Sequence, residues 1–219
     1  STYGRIISMT RQMIINDDLD AFSRVPAAFG ASAADLESDL VYSILTSNPV
    51  MGDGIALFHS DHGNLGTPGV ISETTVTEAM TLFAQQKGLE GRLISILPSY
   101  IIVPTGQRLV EARKLMTATT PDSTDNVNVY SGALQVIAEP RLMPGNLVAE
   151  GDQAPWFLAA TPARIDTVEY AYLDGQQGIF TETEMGFDID GVKIKARHDF
   201  ATKALDHRGL LKNAGAAAT

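Results

Sequence analysis

"FSRVPAAFGASAADLESDLVYSILTSNP", residues 22–49, is the stretch on which the fold class turns. Phe22, Val25, Phe29, Ala33, Leu36, Leu40 and Ile44 recur in steps of three and four, one apolar stripe along a helix. Pro26 is tolerable near a first helical turn, and Asn48-Pro49 ends the pattern, because a residue before proline is pushed out of the helical region. From Pro26 to Thr46 such a helix would be about 30 Å long at 1.5 Å per residue. Upstream, Asn16, Asp17 and Asp18 supply short polar side chains that cap free amides and suit the positive end of a helix dipole. One long helix is therefore a main girder of the fold.

Outward from this girder the signals are mixed. Tyr3 to Thr10 reads as a short strand. Residues 51–70 carry Gly52, Gly54, Gly63, Gly66, Pro68 and Gly69, which is loop composition. Thr75 and Glu78 stand in capping-box spacing at the start of a second helix, with Gly88 as its terminator. "SYIIVPT" is a buried strand, and Thr105 caps a further helix running to about Met116. Thr117 to Asn128 has no apolar period and reads as a surface loop. "ALQVIAEP" and "WFLAAT" are short strands. Near the carboxyl end, "IDTVEYAYLDGQQG" and "FDIDGVKIKARHDF" alternate as strands, with Asp174-Gly175 and Asp190-Gly191 as turn signals, the latter predicting a type I′ hairpin turn. In the second, Val192, Ile194, Ala196, His198 and Phe200 share one face. No regular strand–helix repeat occurs, so the class is α+β and not a doubly wound sheet.

Composition closes off several functions. The 219 residues include no cysteine, which excludes disulfides, thiolate nucleophiles and cysteine-ligated metal centres. The formal net charge of −10 makes a dedicated grip on nucleic-acid phosphates unexpected. No apolar run approaches the roughly 20 residues of a bilayer span. The opening "STYGRIISMT", without methionine and in mid-pattern, reads as the remainder of a longer gene product.

The candidate chemistry is thin. "LFHSDHGNL", residues 57–65, sets His59, Asp61 and His62 together, but the spacing is not that of a zinc-peptidase helix, and glycine and proline forbid a helix there. Only His198 and His207 remain as histidines. A hydrogen-bonded polar turn is expected in preference to a metal site; a metal-assisted hydrolase built on His59, His62 and Asp61 is the alternative. "DIDG" at 188–191 lacks the later ligands of a calcium loop. No G-x-S-x-G elbow and no phosphate-binding glycine loop is present. The reading therefore names no catalytic residue, cofactor or metal ligand. Arg5 and Arg11, then Asn16, Asp17 and Asp18, and finally "DHRGLLKN" are polar clusters whose default reading is solvated surface, though arginine and carboxylate clusters at both ends of a chain also suit contacts between subunits.

Three blocks carry a resemblance: "GRIISMTRQMIINDDLDAFSRVPAAFG", "NPVMGDGIALFHSDHGNL" and "GFDIDGVKIKARHDFATKALDHRGLLKN". From about Gly4 to Asn213 the chain resembles the major capsid proteins of tailed bacteriophages, in the branch encoded as a fusion of prohead protease and capsid protein. The resemblance implies a Hong Kong 97-type capsid fold and no catalysis by this segment. It implies that residues 1–16 are the descending part of an extended loop and 17–88 a peripheral domain with the spine helix. Residues 89–161 would form the axial domain, and 162–219 the return to the peripheral domain. Copies of the chain would form the hexamers and pentamers of a shell around a phage genome, with portal and scaffold or prohead protease as assembly partners. Assembly would take place in the bacterial host cytoplasm. Tyr3, Arg5, Arg11, Asp17, Asp18 and Arg208 are the expected subunit-interface residues. An encapsulin-like compartment shell, enclosing enzymes, is the other reading of the same fold.

Overall fold

"YIIV" and "WFLA" contain no polar alternation, so a strand made from either needs cover on both faces. The computed structural model, which describes residues 1–16, 20–117, 128–149, 153–186 and 190–216, provides it. Its strands are β1 (Thr2–Thr10), β2 (Leu65–Gly66), β3 (Tyr100–Val103), β4 (Gln135–Ala138), β5 (Trp156–Ala159), β6 (Val168–Tyr172), β7 (Phe180–Gly186), β8 (Gly191–Ala204) and β9 (Leu210–Asn213). Its helices are α1 (Arg11–Asn16), α2 (Asp20–Ser47), α3 (Glu73–Ala84) and α4 (Gln107–Thr117), with single 3₁₀ turns between. The class is α+β, as expected.

The chain divides into two compact units, Ser1–Val41 with Tyr170–Lys203, and Tyr42–Glu169 with Ala204–Thr219. The second is built on a mixed five-stranded sheet of order β2-β9-β5-β3-β4. Its strands sort their side chains by parity. Ile101, Val103, Trp156, Leu158 and Leu211 join Val76, Ala79 and Phe83 of α3 and Ala112 and Met116 of α4 in one core. Phe157, Ala159 and Leu210 point the other way, into a second core with Ile44, Leu45, Leu57, Phe58 and Leu142. The last turn of α2 thus covers one sheet face while α3 and α4 cover the other.

In the first unit, β8 is the central strand. β1 pairs antiparallel with it from Thr2↔Asp199 to Thr10↔Gly191, and β7 pairs with it from Phe180↔Arg197 to Gly186↔Gly191. Gly191 lies so close to β1 that a Cβ there would collide with the Met9 carbonyl. The glycine read as a turn residue is also a close-approach residue. Across the β7–β8 pair, Glu182 meets Lys195 at 2.6 Å and Glu184 stands opposite Lys193, so the ribbon carries a ladder of opposite charges.

Several boundaries differ from the sequence reading. Helix α2 starts at Asp20 and encloses Pro26, extending to 28 residues, about 42 Å. Pro26 is exposed, so water can meet the carbonyl one turn earlier that loses its donor. Helix α3 is capped by Ser72, whose hydroxyl accepts from Thr75 N while the Thr75 hydroxyl accepts from Ser72 N. Glu78 instead accepts from the amide and hydroxyl of Thr67. That helix ends at Ala84, and Gly88 sits beyond it in a bend where any Cβ would strike Ile94. Helix α4 begins at Gln107; its first carbonyl acceptor is Gly106, at φ 93°, and not Thr105. Strand β7 was not anticipated, and β8 runs Gly191–Ala204, later than the quoted segment. Most of the loop read at 117–128, Asp17 and Asp18, and residues 187–189 of the expected type I′ turn lie outside the described residues.

Asparagine side chains hold the loops of the second unit. Asn48, at φ 49° just past α2, exchanges two hydrogen bonds with Phe58, accepting from its amide at 2.6 Å and donating to its carbonyl at 3.1 Å. Asn64 is fully buried; it accepts from His59 N at 3.1 Å and donates to Leu57 O at 2.8 Å and to His207 O at 3.4 Å. Asn213, at the end of β9, accepts from Gly69 N and Gly215 N and donates to Thr67 O. Each side chain stands in for a strand neighbour that the glycine-rich stretch lacks.

Two outcomes follow for urea unfolding of the purified chain. Leu158→Ala, in the fully buried centre of β5, should lower stability by about 2–5 kcal/mol, whereas Ile6→Ala, 62% exposed, should change it by no more than about 0.5 kcal/mol. Asn64→Ala leaves several buried backbone groups without partners and should cost about 2–4 kcal/mol, against less than about 1 kcal/mol for the exposed Asp61→Ala. Equal losses in either comparison would contradict the packing described.

Candidate functional site

The histidine turn is made by side chains bonding backbone. Ser60–His62 form one 3₁₀ turn, with the His59 ring as its cap: Nδ1 accepts from Asp61 N at 3.1 Å. Gly63, at φ 60°, closes the turn where a side chain would be strained. Asp61 points outward with 68% of its side chain exposed, 3.5 Å from His59 Nδ1. His62 turns the other way and is buried. The trio singled out in the sequence therefore does not converge on any one point.

A different trio does. His62 Nδ1 donates to Leu57 O at 3.1 Å, and its Nε2 lies 2.8 Å from Asp53 Oδ2. The His207 ring stacks flat on His62, centroids 3.7 Å apart and 3° from parallel. Asp53 is aimed by an Asx turn, its Oδ1 accepting from Ile55 N at 2.9 Å. That amide bond, and next the His62 ring, hold the Asp53 carboxyl below its usual range. Burial, with the neighbouring His62 second, pushes His207 below the usual histidine value. Sequence reading missed Asp53, whose Asp-Gly setting looks like an ordinary turn, and no local pattern could bring His207 alongside.

In the first unit the inward face of β8 and helix α2 share a buried polar group. Glu37 accepts from the Tyr172 hydroxyl at 3.0 Å, and its other oxygen lies 2.8 Å from His198 Nε2 without forming a hydrogen bond to it. His198 Nδ1 donates to Gly178 O at 3.1 Å. His198, placed on the inward face by the sequence alternation, packs there with Tyr172 and Phe200. Desolvation, with Glu37 adding, raises the Tyr172 hydroxyl above its ordinary value. The phenol bonds the carboxylate and the imidazole bonds the backbone beside it, so the cluster ties helix to sheet.

The expected interface residues are spread along the chain. On β1, Tyr3 is half-buried and Arg5 is exposed, with no side-chain partner among the described residues. Arg11 reaches Asp190 at 3.6 Å, both largely in solvent. Arg208 is bound within its own chain, its guanidinium on the Asp206 carboxylate, which also accepts from Arg208 N. Apolar side chains not singled out in the sequence also face solvent in the first unit: Met185, at 86%, is the most exposed of them, with Ile15 and Phe180 also exposed.

Comparison with known proteins bears on all of this. Residues 1–213 match the family described as phage capsid protein. No curated protein matches significantly in sequence. Among solved structures, the mature capsid of bacteriophage PhiM1 is 9% identical with a TM-score of 0.65, covering all of this chain and 72% of that one. Mycobacterium phage Patience matches at 10% identity and a TM-score of 0.62 over all of this chain and 70% of the other. The SrpI encapsulin complex of Synechococcus elongatus PCC 7942 matches at 11% identity and 0.55, over 98% and 73%. These likenesses show the Hong Kong 97-like fold. Among the described residues no helix is long and apolar enough to cross a membrane. With its whole length to Asn213 matched by the family and its fold that of tailed-phage capsids, the chain belongs to the phage capsid protein family: it is a shell-forming major capsid protein, structural and not enzymatic, and a component of the virion.

Proposed function

We propose that the chain closes, as hexamers and pentamers, into an icosahedral shell around a phage genome. The observation that carries this reading is the family match over residues 1–213, joined to an antiparallel ribbon that presents Phe180 and Met185 to solvent. Closed assembly repeats each contact many times, so modest single interfaces suffice. The net charge of −10 suits a wall that encloses nucleic acid without clasping it.

Residues 1–16 serve as the descending part of the extended loop, 17–88 as the peripheral domain, 89–161 as the axial domain and 162–219 as the return. The grouping of Tyr42–Glu169 in one compact unit supports an axial domain that lies within it. Portal and scaffold or prohead protease act during assembly in the host cytoplasm, and the gene belongs to the protease-fusion branch. Tyr3, Arg5, Arg11, Asp17, Asp18 and Arg208 serve the subunit interface. Arg5 is the strongest of these, being exposed and without a partner on its own chain among the described residues, whereas Arg208 is already committed to Asp206. An encapsulin-like compartment is the second reading, favoured by the SrpI likeness alone.

Both readings are open to measurement on the full-length protein. Sedimentation velocity under assembly conditions should find closed particles far above monomer mass, and nuclease-protected DNA inside particles from phage-producing cells. Particles filled with protein and free of DNA would favour the compartment. Reversing charge at Arg5→Glu should leave circular dichroism and subunit stability within about 0.5 kcal/mol of the parent, since the residue is at the surface, while lowering shell yield several-fold. Full-sized shells at the parental yield would remove Arg5 from the interface.

A further inference from the structure

His62 raises a problem of hydrogen-bond arithmetic. Its ring is buried, and each of its two nitrogens faces an acceptor oxygen: the Leu57 carbonyl at 3.1 Å and the Asp53 carboxylate at 2.8 Å. A neutral imidazole has one N–H and can serve only one of them. The second nitrogen needs either an extra proton or a cation that draws it slightly apart from Asp53 and binds both. A proton would satisfy that pair and leave the half-buried His207 ring, stacked on His62, with no hydrogen bond to either nitrogen among the described residues. A cation would use all three groups.

The geometry points to a divalent metal site formed by Asp53, His62 and His207, and we propose that it takes a borderline transition ion of the zinc class. One ligand atom from each residue lies within 4.8 Å of the others. The Nδ1–H of His62 is anchored on a backbone carbonyl, the second bond that metal-binding histidines characteristically make, and this leaves Nε2 as the free donor of an electron pair. Two imidazoles and one carboxylate suit zinc better than calcium or magnesium, which prefer all-oxygen sites. Asp53 is 44% exposed on its side chain, which leaves an entry path and room for a water as fourth ligand. The flat stack requires the His207 ring to turn its edge toward Asp53 as the ion enters. Asp53 and His62 belong to the loop after α2, and His207 to the turn between β8 and β9, so the ion would staple segments distant in sequence within one compact unit. Neither His59 nor Asp61 takes part, which separates this site from the linear H-x-x-H pattern.

The test is equilibrium dialysis of chelator-stripped full-length protein against micromolar Zn²⁺, with elemental analysis, and thermal unfolding with and without the ion. The expected result is about one zinc per chain and a rise in Tm of several degrees. His207→Gln and Asp53→Asn should each weaken binding by at least about tenfold and remove the Tm rise, while His59→Gln should keep both. Cobalt(II) added to the unaltered protein gives a readout independent of any variant: a visible absorption band of tetrahedral intensity is expected. Absence of bound zinc and of the cobalt band in the parent would overturn the site and leave His62 as a hydrogen-bonded partner of Asp53. Loss of binding in His59→Gln equal to that in His207→Gln would overturn it as well.

Discussion

Buried backbone groups must find partners, and in this molecule the glycine-rich stretch after α2 finds them on asparagine side chains. Asn48 binds both polar groups of Phe58, and Asn64 joins His59, Leu57 and His207. With that scaffold in place, Leu57 and Phe58 can enter the core on one side of the sheet, and His62 can turn inward beside Asp53. Asn213 does the same at the end of β9, holding Thr67, Gly69 and Gly215 around the short β2–β9 contact. Trp156 completes the arrangement, its indole N–H donating to Gly69 O from the fully buried centre of the sheet. The stretch has loop composition but core status.

This explains which parts of the fold were legible. The α2 stripe was readable because helix period and burial coincide: Phe29 and Ile44 are buried and Ala33, Leu36 and Leu40 half-buried. The strands around Ile101 and Leu158 were readable because both of their faces are apolar. Strand β7 was not, since Thr181, Glu182, Thr183 and Glu184 are all exposed and no buried face imposes an alternation. Its register rests on charges across the ribbon, visible only once Lys193 and Lys195 are known to lie opposite. Helix ends shifted by a few residues because Thr75 and Gly106 could play more than one capping role. The polar-turn reading of residues 59–62 described the local bonds correctly. The inward cluster needed His207, which only tertiary structure supplies.

The resemblance carried by "LFHSDHGN" has a physical basis in the same loop. Leu57, Phe58, His62 and Asn64 are all buried there, so the block is constrained by packing as a core strand would be. The same fold is reached by solved shells only 9–11% identical to this chain.

The pairing of β1 with β8 has a consequence in time. Thr2 and Asp199, joined by a side-chain hydrogen bond, are 197 residues apart in the chain. At about 5–20 residues per second, a ribosome needs roughly 10–40 s to deliver the partner after the first strand has emerged. Throughout that interval the first strand is an unpaired edge, able to take up the late strand of a chain made slightly earlier on the same message. Sequence separation of this size is what makes exchange of a strand between copies kinetically accessible. Gly191, where the two strands lie too close for any side chain, fixes the same register whether β8 comes from the same chain or from a second copy.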